Sequence, residues 1–174
     1  MRWVYFLILT LLGVIGQTTV VQMLWFRTPV GWIGPEILAA VAVFVALRVR
    51  ATTDAALAGW TLGFAVDLTL SGTGMGLLGL LYAAATAGLH RIREGFFGER
   101  AITHMVLTFL FCSFVYQLWI LYDGLIGAGS PGGRGALQAL GLSAYTAILA
   151  PLVCGALKPI SRFLLAVPAG RSKR

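Results

Sequence analysis

Charge is scarce in this chain. Only 11 % of its 174 residues are Asp, Glu, Lys or Arg, against roughly 25 % in an ordinary soluble domain. With 59 % of residues hydrophobic, too little polar surface remains to clothe a water-soluble fold of this size. The two cysteines, Cys112 and Cys154, lie inside apolar runs with no Cys-x-x-Cys or Cys/His spacing, which argues against a metal or redox centre and for small packing residues. The two histidines, His90 and His104, flank a basic stretch and have no His-Glu-x-x-His pattern. No Ser/His/Asp arrangement, Cys/His pair or facing pair of carboxylates is spaced for hydrolysis. The glycine run Gly72, Gly74, Gly76 and Gly79 lacks the Lys-Ser/Thr ending and the preceding strand of a phosphate loop. The expectation is a protein that is not an enzyme and carries no cofactor.

Long apolar runs are abundant. A spanning helix needs about 20 mainly apolar residues, and the sequence divides into six such stretches, near 3–25, 31–47, 54–70, 74–90, 102–122 and 136–157. The second and third are short for a full crossing. The first is kept as a helix and not as a cleaved leader, because its apolar run passes Gly16 with no Ala-x-Ala-like site. Pro29, Gly31, Gly34 and Pro35 mark the first turn, with Pro35 suited to the opening of helix two. Ser71-Gly72-Thr73-Gly74 marks the third turn, and Asp123 to Gly135 reads as a flexible, glycine-rich loop.

Basic residues fix the expected orientation. Arg2, Arg48, Arg50, Arg91, Arg93, Arg100, Lys158, Arg162, Arg171, Lys173 and Arg174 fall on one side of the six-helix scheme, and only Arg27 and Arg134 on the other. Both chain ends are therefore expected in the cytoplasm. Residues 1–160 form the transmembrane domain and 161–174 a basic tail. Asp54, Glu94 and Glu99 lie on the inner side, while Glu36, Asp67 and Asp123 lie near outer helix ends. The basic inner face suits anionic lipid headgroups; nucleic acid is not expected despite a pI near 10.1.

Asp67 is the most informative polar residue, since an ionisable group in a spanning segment is costly. Ala55, Gly59, Gly63, Asp67 and Ser71 recur every fourth residue and share one face of helix three. Small residues at that spacing admit another helix backbone. Three readings of Asp67 stay open: a cap on the Ser71–Gly76 turn, a partner for another helix, or a proton relay. A relay is disfavoured because no second acid, His or Lys is expected at mid-membrane depth. Gln17, Thr18, Thr19 and Gln22 on helix one, Thr108, Cys112, Ser113, Tyr116 and Gln117 on helix five, and Ser143, Tyr145 and Thr146 on helix six form polar stripes. These suit interhelical hydrogen bonds, or alternatively a polar pocket built around Gln17, Gln22, Tyr116 and Gln117.

Two stretches carry a family resemblance. PEILAAVAVFVALRVR, from Pro35 to Arg50, and GWTLGFAVDLTLSGTGMG, from Gly59 to Gly76, resemble the second and third helices of MreD, a membrane subunit of the bacterial rod-shape complex. Gln17-Thr18-Thr19 and YTAILAPLVCGALKPISR, Tyr145 to Arg162, are similar to the end of its first helix and to its last helix, although the family commonly has Asn where Tyr145 or Thr146 stands. The resemblance implies an all-α integral membrane protein of six transmembrane helices, similar in fold to the substrate-binding subunits of energy-coupling-factor transporters. It implies a scaffold in the bacterial cytoplasmic membrane that binds MreC and other elongation-complex proteins and links MreB filaments to peptidoglycan synthesis. On this reading Gly59, Gly63, Asp67, Ser71, Gly72 and Gly76 serve helix packing or partner contact. Self-association is left open, as are two alternatives: a small-molecule-binding subunit of a vitamin-type transporter and a small proton-coupled carrier.

Overall fold

The computed structural model describes residues 3–19, 21–29, 31–49, 51–69, 76–92, 101–126 and 133–164. Six α-helices dominate them. Helix α1 (Trp3–Thr19) runs into a single 3-10 turn, Val21–Leu24, and then into a short antiparallel hairpin of β1 (Phe26–Thr28) and β2 (Gly31–Ile33). The hairpin pairs Phe26 with Ile33 and Thr28 with Gly31. There follow α2 (Ile37–Arg48), α3 (Thr52–Thr69), α4 (Leu77–Ile92), α5 (Ala101–Ile126) and α6 (Gly133–Leu164).

Helix α2 is the centre of the bundle. It has nine consecutive buried residues, Leu38 to Ala46, and touches α1, α3, α4, α5 and α6. A helix apolar on every side has no face to offer water and is driven to the middle. Its 12 residues reach only about 18 Å. The expectation of a helix from residue 31 is therefore corrected: 31–33 is a strand and 34–36 is neither helix nor strand. The β-carbon of an alanine at Gly34 would fall inside the indole of Trp25, so the glycine lets the hairpin fold back over the start of α2.

Helices α3 and α4 form a tight antiparallel pair, and the four-residue stripe shows why. A β-carbon at Gly63 would come within 2.7 Å of Tyr82 Cβ and 2.9 Å of Gly79 Cα, and one at Gly59 within 2.7 Å of the Tyr82 carbonyl oxygen. Both positions let one helix backbone lie directly on the other.

Both ends of the glycine-rich segment expected as a loop from Asp123 to Gly135 are helical. Asp123 to Ile126 belong to α5 and Gly133 to Gly135 to α6, and a β-carbon at Gly135 would stand 3.9 Å from Ile120, at ordinary contact distance. Helix α6 continues through Pro151 and Pro159 to Leu164, crossing the boundary drawn at residue 160. Ser71, Gly72, Arg93, Arg100 and Arg171 to Arg174 lie outside the described residues.

Two helical stretches, Ala101–Leu125 and Gly133–Pro159, are long and apolar enough to cross a membrane. Trp3–Thr19, Ile37–Arg48 and Leu77–Ile92 are shorter apolar helices. Large apolar side chains face outward, among them Val4, Leu7, Leu11 and Ile15 on α1, Val106, Leu110 and Phe114 on α5, and Ile148 and Leu152 on α6. Exposed apolar surface on this scale is unusual for a protein surrounded by water.

Candidate functional site

The entry to α2 gathers the polar chemistry. Glu36 occupies the N-cap position of α2 with extended backbone, but its side chain makes no capping hydrogen bond. Gln17 of α1 takes over that duty: its Oε1 accepts from the Ile37 N–H at 2.9 Å, and its Nε2 donates to the Pro35 carbonyl at 3.2 Å. The Glu36 N–H donates to Thr146 Oγ1 of α6 at 3.0 Å. Thus α1 and α6 satisfy backbone groups that a helix start leaves without partners.

The Glu36 carboxylate is thereby freed to point inward, and the residue is 4 % exposed. Tyr82 of α4 donates its hydroxyl to Oε1 at 2.8 Å, and Tyr116 of α5 donates to Oε2. Tyr82 is itself fully buried, with its ring edge-on to Phe111 at 5.1 Å between centroids. One acid therefore joins α2, α4 and α5 through its side chain and α6 through its amide. Glu36 was expected near an outer helix end, and no second buried acid was expected beside Asp67. Glu36 is in fact the more buried of the two, at 4 % against 9 % exposed. An acid followed by eleven residues with no polar side chain before Arg48 was the available signal.

A cavity of about 190 Å³ adjoins this cluster, bounded by Gln17, Gln22, Trp25, Glu36 and Tyr116 with Val66 and Leu142 as apolar wall. Of the four residues expected around a polar pocket, Gln17, Gln22 and Tyr116 line it. Gln117 does not; its Nε2 donates to the Ala136 carbonyl at 3.3 Å and ties α5 to α6. Tyr116 and Gln117 are neighbours on one helix, and a 100° rotation per residue sends them in different directions. A second, partly open pocket of about 180 Å³, mostly apolar, also borders Glu36 and is lined by Ala40, Thr146, Leu149 and Val153 among others.

Asp67 lies near the far end of α3 and acts as a cap. Its Oδ2 accepts from the N–H of Gly76 at 2.9 Å and of Gly79 at 3.3 Å. These amides open α4, where a negative charge also meets the positive end of the helix dipole. Gly76 has φ +95°, a conformation that glycine adopts without strain. The capping contact belongs to the first of the three readings of Asp67. Asp67→Ala removes the acceptor and the charge, so thermal unfolding in micelles is expected to show a loss of about 0.5–2 kcal/mol; an unchanged midpoint would contradict the cap.

The remaining polar residues divide. Thr18 and Ser143 bond carbonyls of their own helices, while Tyr145 rests edge-on against Phe26 and helps seat the hairpin on α6. Gln138 Nε2 adds a 2.8 Å bond to the Trp32 carbonyl. His90 Nδ1 donates to the Ala46 carbonyl at 3.1 Å, and His104 approaches Cys154. Among the described residues, no three His, Cys, Asp or Glu side chains gather as metal ligands would.

Compared with protein-family models, with curated proteins and with solved structures, the chain matches none.

Proposed function

We propose that this chain is a non-enzymatic scaffold of the bacterial cell-elongation complex, an MreD-like subunit that crosses the cytoplasmic membrane six times with both ends inside. The observation that carries this reading is the employment of its two buried acids. Glu36 and Asp67 sit in the two stretches that most resemble the family, and both carboxylates hold helices together. A subunit whose buried acids serve architecture works through its surfaces. Thr146, at or beside the place where the family commonly has Asn, supplies the α6 contact to Glu36.

The outward apolar residues of α1, α5 and α6 support contact with lipid tails. The short α2 is compatible with a six-span protein because other helices enclose it, and backbone that is irregular at membrane depth is tolerated when buried in protein. Arg48, Arg91 and Lys158 then share the cytoplasmic side, where they attract anionic headgroups.

Binding is tested by affinity purification from membranes with tagged MreC of the same bacterium, and function by depletion in the cell. The expected results are co-purification and rods rounding into spheres. Rods that persist after depletion, with no co-purification, would overturn the proposal.

A further inference from the structure

We propose that the cavity beside Glu36 is a binding site for a small organic ammonium group. The site shares Glu36 with the helix-holding cluster on which the scaffold reading rests, and it depends on no orientation in a membrane.

The cavity has the parts such a ligand needs. Glu36 supplies a carboxylate that is almost wholly enclosed, and its two hydrogen-bond partners are tyrosine hydroxyls, which are neutral. No Lys, Arg or His is among the described residues lining this cavity or the second pocket. A buried carboxylate without a positive partner is costly, and a cationic ligand supplies the missing charge. Gln17 keeps capacity beyond its two backbone bonds, since an amide offers two donors and two acceptor sites. The Gln22 amide is a further acceptor at the wall. Trp25, 41 % exposed and seated on Gly34, forms part of the rim. An indole face attracts ammonium groups, quaternary ones included.

Size narrows the class. A cavity of about 150 Å³ accepts benzene, so about 190 Å³ suits an ammonium group with a few carbons, not a nucleotide or a vitamin. The wall formed by Val66 and Leu142 gives the carbon portion an apolar surface. Both a free amine and the headgroup of an aminophospholipid present this chemistry.

The test uses the full chain in nanodiscs of phosphatidylglycerol alone and in nanodiscs that also contain phosphatidylethanolamine. Ethanolamine and tetramethylammonium are titrated against tryptophan fluorescence and thermal midpoint, with glycerol and sodium chloride as controls. In phosphatidylglycerol the expected result is a saturable response to at least one ammonium compound and none to the controls. Glu36→Gln is expected to weaken it at least tenfold. Trp25→Leu and Gln22→Leu, which leave the Glu36 cluster intact, are each expected to weaken it severalfold by thermal midpoint. Retention of the response in phosphatidylethanolamine discs assigns the site to a free amine, and its loss there assigns it to the lipid headgroup. The proposal is overturned if the wild-type protein responds to no ammonium compound in phosphatidylglycerol. It is equally overturned if glycerol or sodium acts as well, or if the folded variants respond as the wild type does.

Discussion

Replacing Glu36 by Leu is expected to destabilise the protein by about 2–4 kcal/mol, because the Tyr82 hydroxyl is left buried without an acceptor and Tyr116 loses its own. The sign is not trivial, since removing a carboxylate from an apolar interior also removes the cost of burying it. The stranded hydroxyls decide the matter. Tyr82 is fully buried between α2 and α5, whereas Tyr116 is half-buried beside the cavity, so the larger share of the loss is assigned to Tyr82. Adding Tyr82→Phe and Tyr116→Phe to Glu36→Leu is expected to restore stability to within about 1 kcal/mol of wild type, as replacing all partners of a buried polar cluster by apolar groups can be nearly neutral. Unfolding curves in micelles for the single, double and triple variants form the thermodynamic cycle that isolates the coupling. A triple variant no better than Glu36→Leu alone would show that the hydroxyls are not what the acid satisfies. Glu36→Gln, which retains the shape and one acceptor oxygen, is expected to cost less than Glu36→Leu.

The second large effect is expected at Gly63. The atoms facing it belong to the α4 backbone at Leu78 and Gly79 and to the first side-chain carbon of Tyr82, and none of these can swing aside. Gly63→Ala should cost about 1–3 kcal/mol through overpacking, and Gly63→Leu should abolish the folded protein by forcing α3 and α4 apart. Gly59→Ala offers a built-in comparison. Two of its three nearest atoms belong to the Thr86 side chain and only one to backbone, so Thr86→Ala is expected to recover part of its loss, while no single change on α4 recovers Gly63→Ala. Gly88→Ala in α4 meets nothing within 4 Å and should be neutral or stabilising by up to about 1 kcal/mol, since alanine is the better helix former. Yield of monodisperse protein after detergent extraction, with thermal midpoints, ranks these variants. Equal tolerance of Gly63→Ala and Gly88→Ala would remove the close-packing account of the stripe.

Some of this architecture was legible because it is written in short-range pattern. Six helical segments follow from apolar runs and turn residues, and the face of α3 that meets α4 follows from a four-residue repeat. The Asp67 cap joins residues only 9 and 12 positions apart, so it was open to local reasoning. Glu36 was not. Its partners lie 46, 80 and 110 positions away, at Tyr82, Tyr116 and Thr146. Nothing in the run from Pro35 to Arg50 says which helices will surround it.

By itself, the sequence determined that the chain is helical, that its apolar content is far above that of an ordinary soluble domain, and that the third helix offers a small-residue face to another helix. These are properties of composition and of side-chain spacing along one helix, and they hold whatever the rest of the chain does. Only the tertiary structure decided that the shortest helix is the central one and that an acid at its start joins α2 to α4, α5 and α6 beside a cavity. The physical reason is that burial of a charge is a collective outcome. The Glu36 carboxylate is tolerated inside because two tyrosines from separate helices reach it, while Gln17 and Thr146 from two others take over the backbone at the start of α2.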